Sequence, residues 1–341
     1  MVLMHPRNTA NADRAGTPAR LKHLAQGIVL SALARMARCE SPPRLAVMIF
    51  HRVLPAADPF LASDPDTLAF AAVMTMIRDQ FAPLSLAEGL RRLDDGTLPR
   101  RAVCITFDDG YSDNLTVAVP ILKRLEIPAT VFVASGFLDG GCMWNDRLAA
   151  AIRLCPDDTI DLTDFGGGIH HLGGASERAL LVSHLLDVLK HGPPGHREQV
   201  AHALAARYAP HLTSPMLTRP QVRELCRAGV EIGGHTVTHP ILARIDDRDA
   251  YREIAENKED LEGLLGERLR FFAYPNGKPG LDFSPAHAAM VQALGYAAAV
   301  TTHPGVSTVA TDRFQLPRFT PWDRTPARFG IRLLLNMRHI V

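Results

Sequence analysis

The chain is poor in cysteine, tryptophan and net charge, and it has no long apolar run. Five cysteines (Cys39, Cys104, Cys142, Cys155, Cys226) are scattered through 341 residues without a Cys-x-x-Cys pair. An odd, dispersed set argues against a disulfide framework and against a cysteine-based zinc site, and it fits a reducing compartment. The 37 basic and 36 acidic side chains leave a net charge of +1, so nothing marks nucleic acid or an anionic surface as the main partner. No apolar stretch approaches the ~18 residues that a membrane-spanning helix needs. No internal repeat or low-complexity tract is evident. At 47% hydrophobic and 21% charged, the composition is that of a soluble globular protein with a sizeable core.

The first 17 or so residues are polar and contain Pro and Arg, which predicts disorder. Residues 21–36 then place Leu21, Leu24, Ile28, Leu33 and Met36 near one helical face, with Arg20, Lys22, Arg35 and Arg38 around it. That pattern fits a degenerate signal peptide, a basic amphipathic anchor in peripheral contact with a membrane, or a helix packed on the domain. Arg35 interrupts the apolar part and no clean small-residue cleavage site follows. The reading taken is a packed helix and a cytoplasmic protein.

From residue 44 the chain alternates short apolar runs with helical spacing, which predicts an α/β fold with parallel strands. Runs at 45–50, 102–107, 129–134, 230–232, 269–273, 296–300 and 314–319 read as strands. Seven or eight such units predict a closed or nearly closed (β/α) barrel with its site at the strands' C-terminal ends. The rhythm breaks at 139–214, where a hairpin signal around Gly166-Gly167-Gly168 sits among helical patterns. The organisation expected is an N-terminal segment 1–43, a barrel 44–325 carrying the insertion 139–214 as a cap, and a C-terminal helix 326–341.

Chemistry concentrates where apolar runs end. Asp108 and Asp109 follow one run directly, so one carboxylate is free to bind a metal while the other moves a proton. A plain Asp-Gly turn explains the same pair when it is taken alone. His235 and His239 stand four residues apart just beyond another run, preceded by Gly233-Gly234 and stopped by Pro240. Two imidazoles and the Asp109 carboxylate make the number of protein ligands typical of a catalytic metal site with an open position. Tyr274-Pro275-Asn276-Gly277 and Thr302-His303-Pro304 each put polar groups on the same rim, and His51 ends the first strand. His51 reads equally as a pocket residue or as a His satisfied by local backbone. Trp144 and Trp322 are the only tryptophans; an indole face stacks on sugar rings, and an anchoring role is the alternative for both.

Thr106-Phe107-Asp108-Asp109-Gly110, His235-x-x-x-His239, the Tyr-Pro-x-Gly turn and a late strand-end His, in this order, resemble the polysaccharide deacetylases of carbohydrate esterase family 4 over about residues 44–320. The resemblance implies a distorted (β/α) barrel and a divalent metal, usually zinc, with cobalt, nickel or manganese as other fits to the ligand set. It implies that Asp109, His235 and His239 hold the metal, that Asp108 is the general base and His303 the general acid, and that the backbone amide near Tyr111 polarises the carbonyl. Tyr111, Tyr274, Asn276, His51 and Trp144 become candidate substrate contacts. The implied partner is a carbohydrate: an acetamido sugar of a polysaccharide, an oligosaccharide or a lipid-linked precursor.

Two features depart from the family pattern. Phe272 and Ala273 occupy the place where an arginine usually orients the base, and Arg318 is the candidate substitute. The aspartate that orients the acid His has no clear match, with Asp282 a weak candidate. The alternatives carried forward are a same-fold amidase or O-acetyl esterase on a non-chitin substrate, and a non-catalytic glycan-binding barrel.

Overall fold

Six consecutive buried residues, Leu45–Phe50, form β1, and six more, Ala102–Phe107, form β3. A strand without polar alternation is one covered on both faces, as in a parallel sheet flanked by helices. The two pair in parallel from Leu45 opposite Ala102 to Phe50 opposite Phe107. β4 (Ala129–Val133), β7 (Glu231–Gly234), β8 (Phe271–Ala273) and β9 (Ala298–Val300) extend the sheet in the order β1-β3-β4-β7-β8-β9, and the short β2 (Ala82–Pro83) joins the start of β3. This computed structural model describes residues 43–190, 192–319, 323 and 325–338. The expected N-terminal helix and Trp322 lie outside the described residues.

The two ends of the sheet are tied by the segment 316–319. On one side the Thr301 N–H donates to the Leu316 carbonyl and the Leu316 N–H to Ala299; on the other the Phe319 N–H donates to Val47 and the Ile49 N–H to Phe319. The parallel sheet therefore curls into a distorted barrel, with Arg318 in the closing link. Helices α1 (Thr67–Gln80), α2 (Leu86–Asp94), α3 (Val119–Arg124), α7 (Arg219–Arg227), α8 (Asp247–Leu265) and α9 (Pro285–Ala293) follow the strands, and α10 (Pro326–Asn336) comes after the link. Local sequence sets their starts: Asp66, Ser85 and Asp246 each accept a first-turn N–H, and Thr218 with Gln221 forms a capping box. A π-turn over Asn114–Ala118 precedes α3, which carries Pro120 in its first turn, the helix position that tolerates proline best. No helix among the described residues is long and apolar enough to cross a membrane.

The segment 139–214 holds α4 (Trp144–Leu154), the antiparallel hairpin β5 (Thr159–Asp161) and β6 (Ile169–His171), α5 (Ala175–Lys190) and α6 (Pro194–Tyr208). Leu148, Ile152, Ile160, Leu162, Leu172, Leu185 and Leu204 pack there as a core separate from the barrel's. Its far end is pinned to the Asp-Asp turn, because the Ser112 N–H donates to Pro215 and the Leu217 N–H to Gly110.

The paired glycines at the end of β7 follow from close packing. A Cβ on Gly234 would lie 2.4 Å from the Tyr296 hydroxyl and 2.7 Å from Asn257 Oδ1; one on Gly233 would lie 2.4 Å from Phe132. Gly234→Ala is expected to destabilise the fold by about 1–3 kcal/mol through this overpacking. A thermal midpoint equal to the parent's would show that Tyr296 and Asn257 move aside freely.

Candidate active site at the strands' C-terminal rim

The backbone separates the two neighbouring carboxylates. The Asp108 N–H still donates to Phe50 as a continuation of the β1–β3 ladder, whereas Asp109 and Gly110 turn to φ values of 78° and 88°. A non-glycine residue in that region is strained and is held there by its surroundings. Asp108 stays in the barrel wall and Asp109 swings to the rim.

Arg318 meets Asp108 with both forks of its guanidinium, Nη1 to Oδ1 and Nη2 to Oδ2 at 2.7 Å each. Its Nε donates to the Thr301 carbonyl at 2.8 Å and Nη1 also reaches the Thr106 hydroxyl at 3.1 Å. The arginine is 0% exposed. Burial opposes ionisation of Asp108, but the Arg318 charge and hydrogen bonds outweigh it and hold the carboxyl below its usual range.

Asp109 Oδ1 lies 3.3 Å from His235 Nε2 and 3.4 Å from His239 Nε2, and the three ligand atoms all fall within 4.8 Å of one another. That oxygen is buried and has no hydrogen-bond partner among the described residues. His235 Nδ1 lies 2.7 Å from the Ala273 carbonyl, which only accepts, so Nδ1 carries the proton and Nε2 turns its lone pair to the centre. Burial pushes His239 down to about 4, which leaves its imidazole neutral at pH 7. Burial also opposes the charging of His235 and of Asp109, but their mutual attraction prevails: the imidazole shifts up and the carboxyl shifts down. A buried oxygen without a donor, facing two imidazole nitrogens, suits a divalent cation.

The His loop is braced by residues that the sequence did not single out. Asn257 accepts from the His235 N–H at 3.0 Å and donates to the Val133 carbonyl, the Ser135 hydroxyl and the Thr236 carbonyl. Glu253, one turn earlier in α8, accepts from the Val237 and Thr238 N–H groups at 2.8 Å each. Their i, i+4 spacing on one helix face was the available signal.

The other candidates divide. Trp144 and Asn276 line a cavity of about 240 Å³ between the rim and the insertion, together with Asp109 and His239. Asn276 sits at φ 59° in a tight turn in which the Gly277 N–H donates to Pro275 at 2.7 Å. His51 and His303 are exposed on the rim. His51 directly follows β1, and its carbonyl accepts from Asn114 Nδ2 at 2.9 Å. His303 is placed by its backbone: its carbonyl accepts from the Arg318 N–H at 2.9 Å and its N–H donates to the Thr301 hydroxyl at 3.2 Å. Asp282 is buried and accepts from the Lys278 N–H; no bond joins it to His303 among the described residues.

Tyr274 requires a correction. Expected as a substrate contact on the rim, it is 0% exposed, stacks on Phe283 at 3.8 Å and donates its hydroxyl to the Phe314 carbonyl at 3.0 Å. Its position just after β8 turns the ring into the core, and its one polar atom is satisfied there.

Tyr111 is buried, with the Arg52 guanidinium 4.6 Å above its ring and its hydroxyl 3.2 Å from Asp146 Oδ2. Burial lifts Asp146 to about 7, aided by the Asp109 and Asp113 charges and opposed by Arg52. The folded protein thus keeps a proton that the unfolded chain releases near pH 4, so stability falls as pH rises from about 4 to 7. In the metal-free protein, Asp146→Asn is expected to flatten that slope and to raise the thermal midpoint above pH 7. An unchanged slope would contradict it.

The sequence profile of the polysaccharide deacetylase family matches residues 95–165 and 183–299, more than half of the chain; His51, His303 and Arg318 lie outside the matched residues. The YxkH protein of Bacillus subtilis (strain 168) is 21% identical over 288 residues, 82% of this chain and 72% of that protein. The poly-beta-1,6-N-acetyl-D-glucosamine N-deacetylase of Staphylococcus epidermidis is 32% identical over 89 residues, 26% of this chain and 31% of that protein. Among solved structures, the Streptococcus pyogenes deacetylase PplD in complex with acetate superposes with a TM-score of 0.57 at 21% identity, covering 87% of this chain and 99% of that one, which shows a common fold. The chain belongs to the polysaccharide deacetylase family, whose members are metal-dependent carbohydrate deacetylases.

Proposed function

We propose that the protein removes the acetyl group from an acetamido sugar of a polysaccharide, oligosaccharide or lipid-linked precursor, with zinc held by Asp109, His235 and His239. The observation that carries this reading is the convergence, on one rim, of a carboxylate and two imidazoles beside a second carboxylate clamped by a buried arginine. Two imidazole nitrogens and one carboxylate oxygen suit zinc and leave a position open, with cobalt, nickel and manganese as poorer or equal competitors by conditions. When bound, the ion supplies a Lewis acid that activates water and stabilises charge on the carbonyl oxygen.

Asp108 takes the proton from the attacking water. Arg318 keeps it ionised and fixes its plane, while each carboxylate oxygen retains a lone pair beyond the one given to the guanidinium. The Tyr111 N–H has no acceptor among the described residues and stands two residues beyond Asp109, where it serves as a donor to the developing oxyanion. His303 protonates the leaving amine, from a loop fixed through Thr301 and Arg318.

The test is acetate release from N-acetylated chitooligosaccharides by the parent and by Asp108→Asn. The expected result is release by the parent and a loss of roughly 10²–10⁴-fold in kcat in the variant, the range general-base catalysis supplies. Equal rates would remove Asp108 from the base role. Acetate from O-acetylated sugars alone would turn the assignment to an esterase.

A further inference from the structure

The cavity above the metal ligands has a charged far wall that the hydrolysis does not use. Asp109, His239 and Asn276 form its rim side, and Trp144, Lys190 and Arg197 of the insertion face them. Arg197 is only 5% exposed. Its Nη1 donates to the Lys190 carbonyl at 3.2 Å, which is the guanidinium's one hydrogen bond among the described residues, and its Nε is buried without an acceptor. The guanidinium carbon lies 5.3 Å from the Trp144 ring centroid. No carboxylate pairs with Arg197 or with the Lys190 ammonium among the described residues. Asp187, also on the cavity wall but exposed, leaves this wall with one net positive charge.

Capping the end of α5 accounts for one of the five guanidinium N–H groups. A buried cation with neither counter-ion nor full hydrogen bonding is costly, and such groups are ordinarily paired. Burial pushes both Lys190 and Arg197 below their usual pKa and outweighs the opposing charges of Asp282 and Asp187 on Lys190 and of Glu198 on Arg197. An anion that enters the cavity supplies the partner that Arg197 lacks.

We infer that this wall is an anion subsite, and that the preferred substrate is an acetamido sugar carrying a phosphate or carboxylate group. The acetamido end meets Asp109 and His239, the ring runs along Trp144, and the anion lies between Lys190 and Arg197. Both anions offer the parallel oxygens that a guanidinium fork engages. The inference rests on the deacetylase reading above and adds the class of sugar to it.

The test uses the full-length, metal-loaded protein and three substrates: the methyl glycoside of an N-acetylhexosamine, its 1-phosphate, and the same sugar bearing a carboxylate. The expected kcat/KM for acetate release is at least about tenfold higher for one or both charged sugars, as charge-assisted bonds imply. Which of the two leads identifies the anion. Arg197→Gln and Lys190→Gln are each expected to bring the charged-to-neutral ratio towards one. Arg197→Lys, which conserves charge and guards against misfolding as the cause, keeps part of the preference. Acetate released equally from all three sugars would overturn the subsite and leave the deacetylase reading standing. A preference that survives both Gln variants would also overturn it. No acetate from any sugar, with native circular dichroism and full metal loading, would overturn the deacetylase reading and the subsite with it.

Discussion

Arg318→Ala is expected to cost about 3–5 kcal/mol of stability and to lower kcat by roughly 10²-fold or more in the protein that still folds. The stability loss follows from burial: the substitution leaves the Asp108 carboxylate in the barrel wall with its charge uncompensated. The catalytic loss follows from geometry, since a base displaced by about 1 Å from its productive position loses on the order of 10²-fold. Arg318→Lys keeps the charge but not the two-pronged contact, and falls between the parent and Ala. The double variant Asp108→Asn/Arg318→Met separates the two effects, because removing both charges restores stability while activity stays lost. Denaturant unfolding and steady-state kinetics on the same preparations check this. A variant with parental stability and kcat would dismiss the clamp. The lowered pKa of Asp108 carries a further sign: stability is fully present above the unfolded carboxyl value near 4 and is lost as pH falls below it.

Removing the Asp109 carboxylate acts chiefly on metal affinity. Asp109→Ala removes the attraction to His235 and puts alanine at φ 78°, so it is expected to cost the metal-free protein about 1–3 kcal/mol, less than Arg318→Ala. Its effect on metal affinity is a loss greater than the ~10–100-fold that follows from changing an outer-shell partner. A parent saturated at 1,000 times its Kd gains about 4 kcal/mol from the ion, and the variant forfeits most of that gain. Thermal midpoints with and without added zinc read the difference directly. His235→Ala behaves alike towards metal but also loses the Nδ1 bond to Ala273, so its metal-free form is less stable than that of Asp109→Ala. Equal metal-induced shifts in parent and variants would place the ion elsewhere.

The parts of this arrangement that depend on short-range pattern could be read in the chain. Leu45–Phe50 and Ala102–Phe107 announce strands buried on both faces, and a charged pair directly after such a strand must emerge at the sheet's end. Arg318 was named through the family resemblance alone: Phe272 and Ala273 stand where an arginine is usual, and Arg318 at the end of the last apolar run was the substitute at hand. Tyr274 was misread because the residue after a strand is free to turn inward or outward, and only packing against Phe283 decides. Glu253 and Asn257 share one helix face by their i, i+4 spacing, but α8 carries other polar pairs at the same spacing, and only the fold shows which face turns to His235. The insertion's contribution was hidden most deeply. Trp144, Lys190 and Arg197 come from three different helices, and their common wall exists only after the segment folds over the rim.

The most direct test of the central claim, a metal-dependent deacetylase working through Asp109, His235 and His239, is titration of acetate release with zinc. Chelator-treated protein is incubated with an acetylated sugar substrate while zinc is added in known ratio to chain. The prediction is no release at the start and a rise that saturates at about one ion per chain. Undiminished release from the chelated protein, unaffected by added metal, would contradict the account.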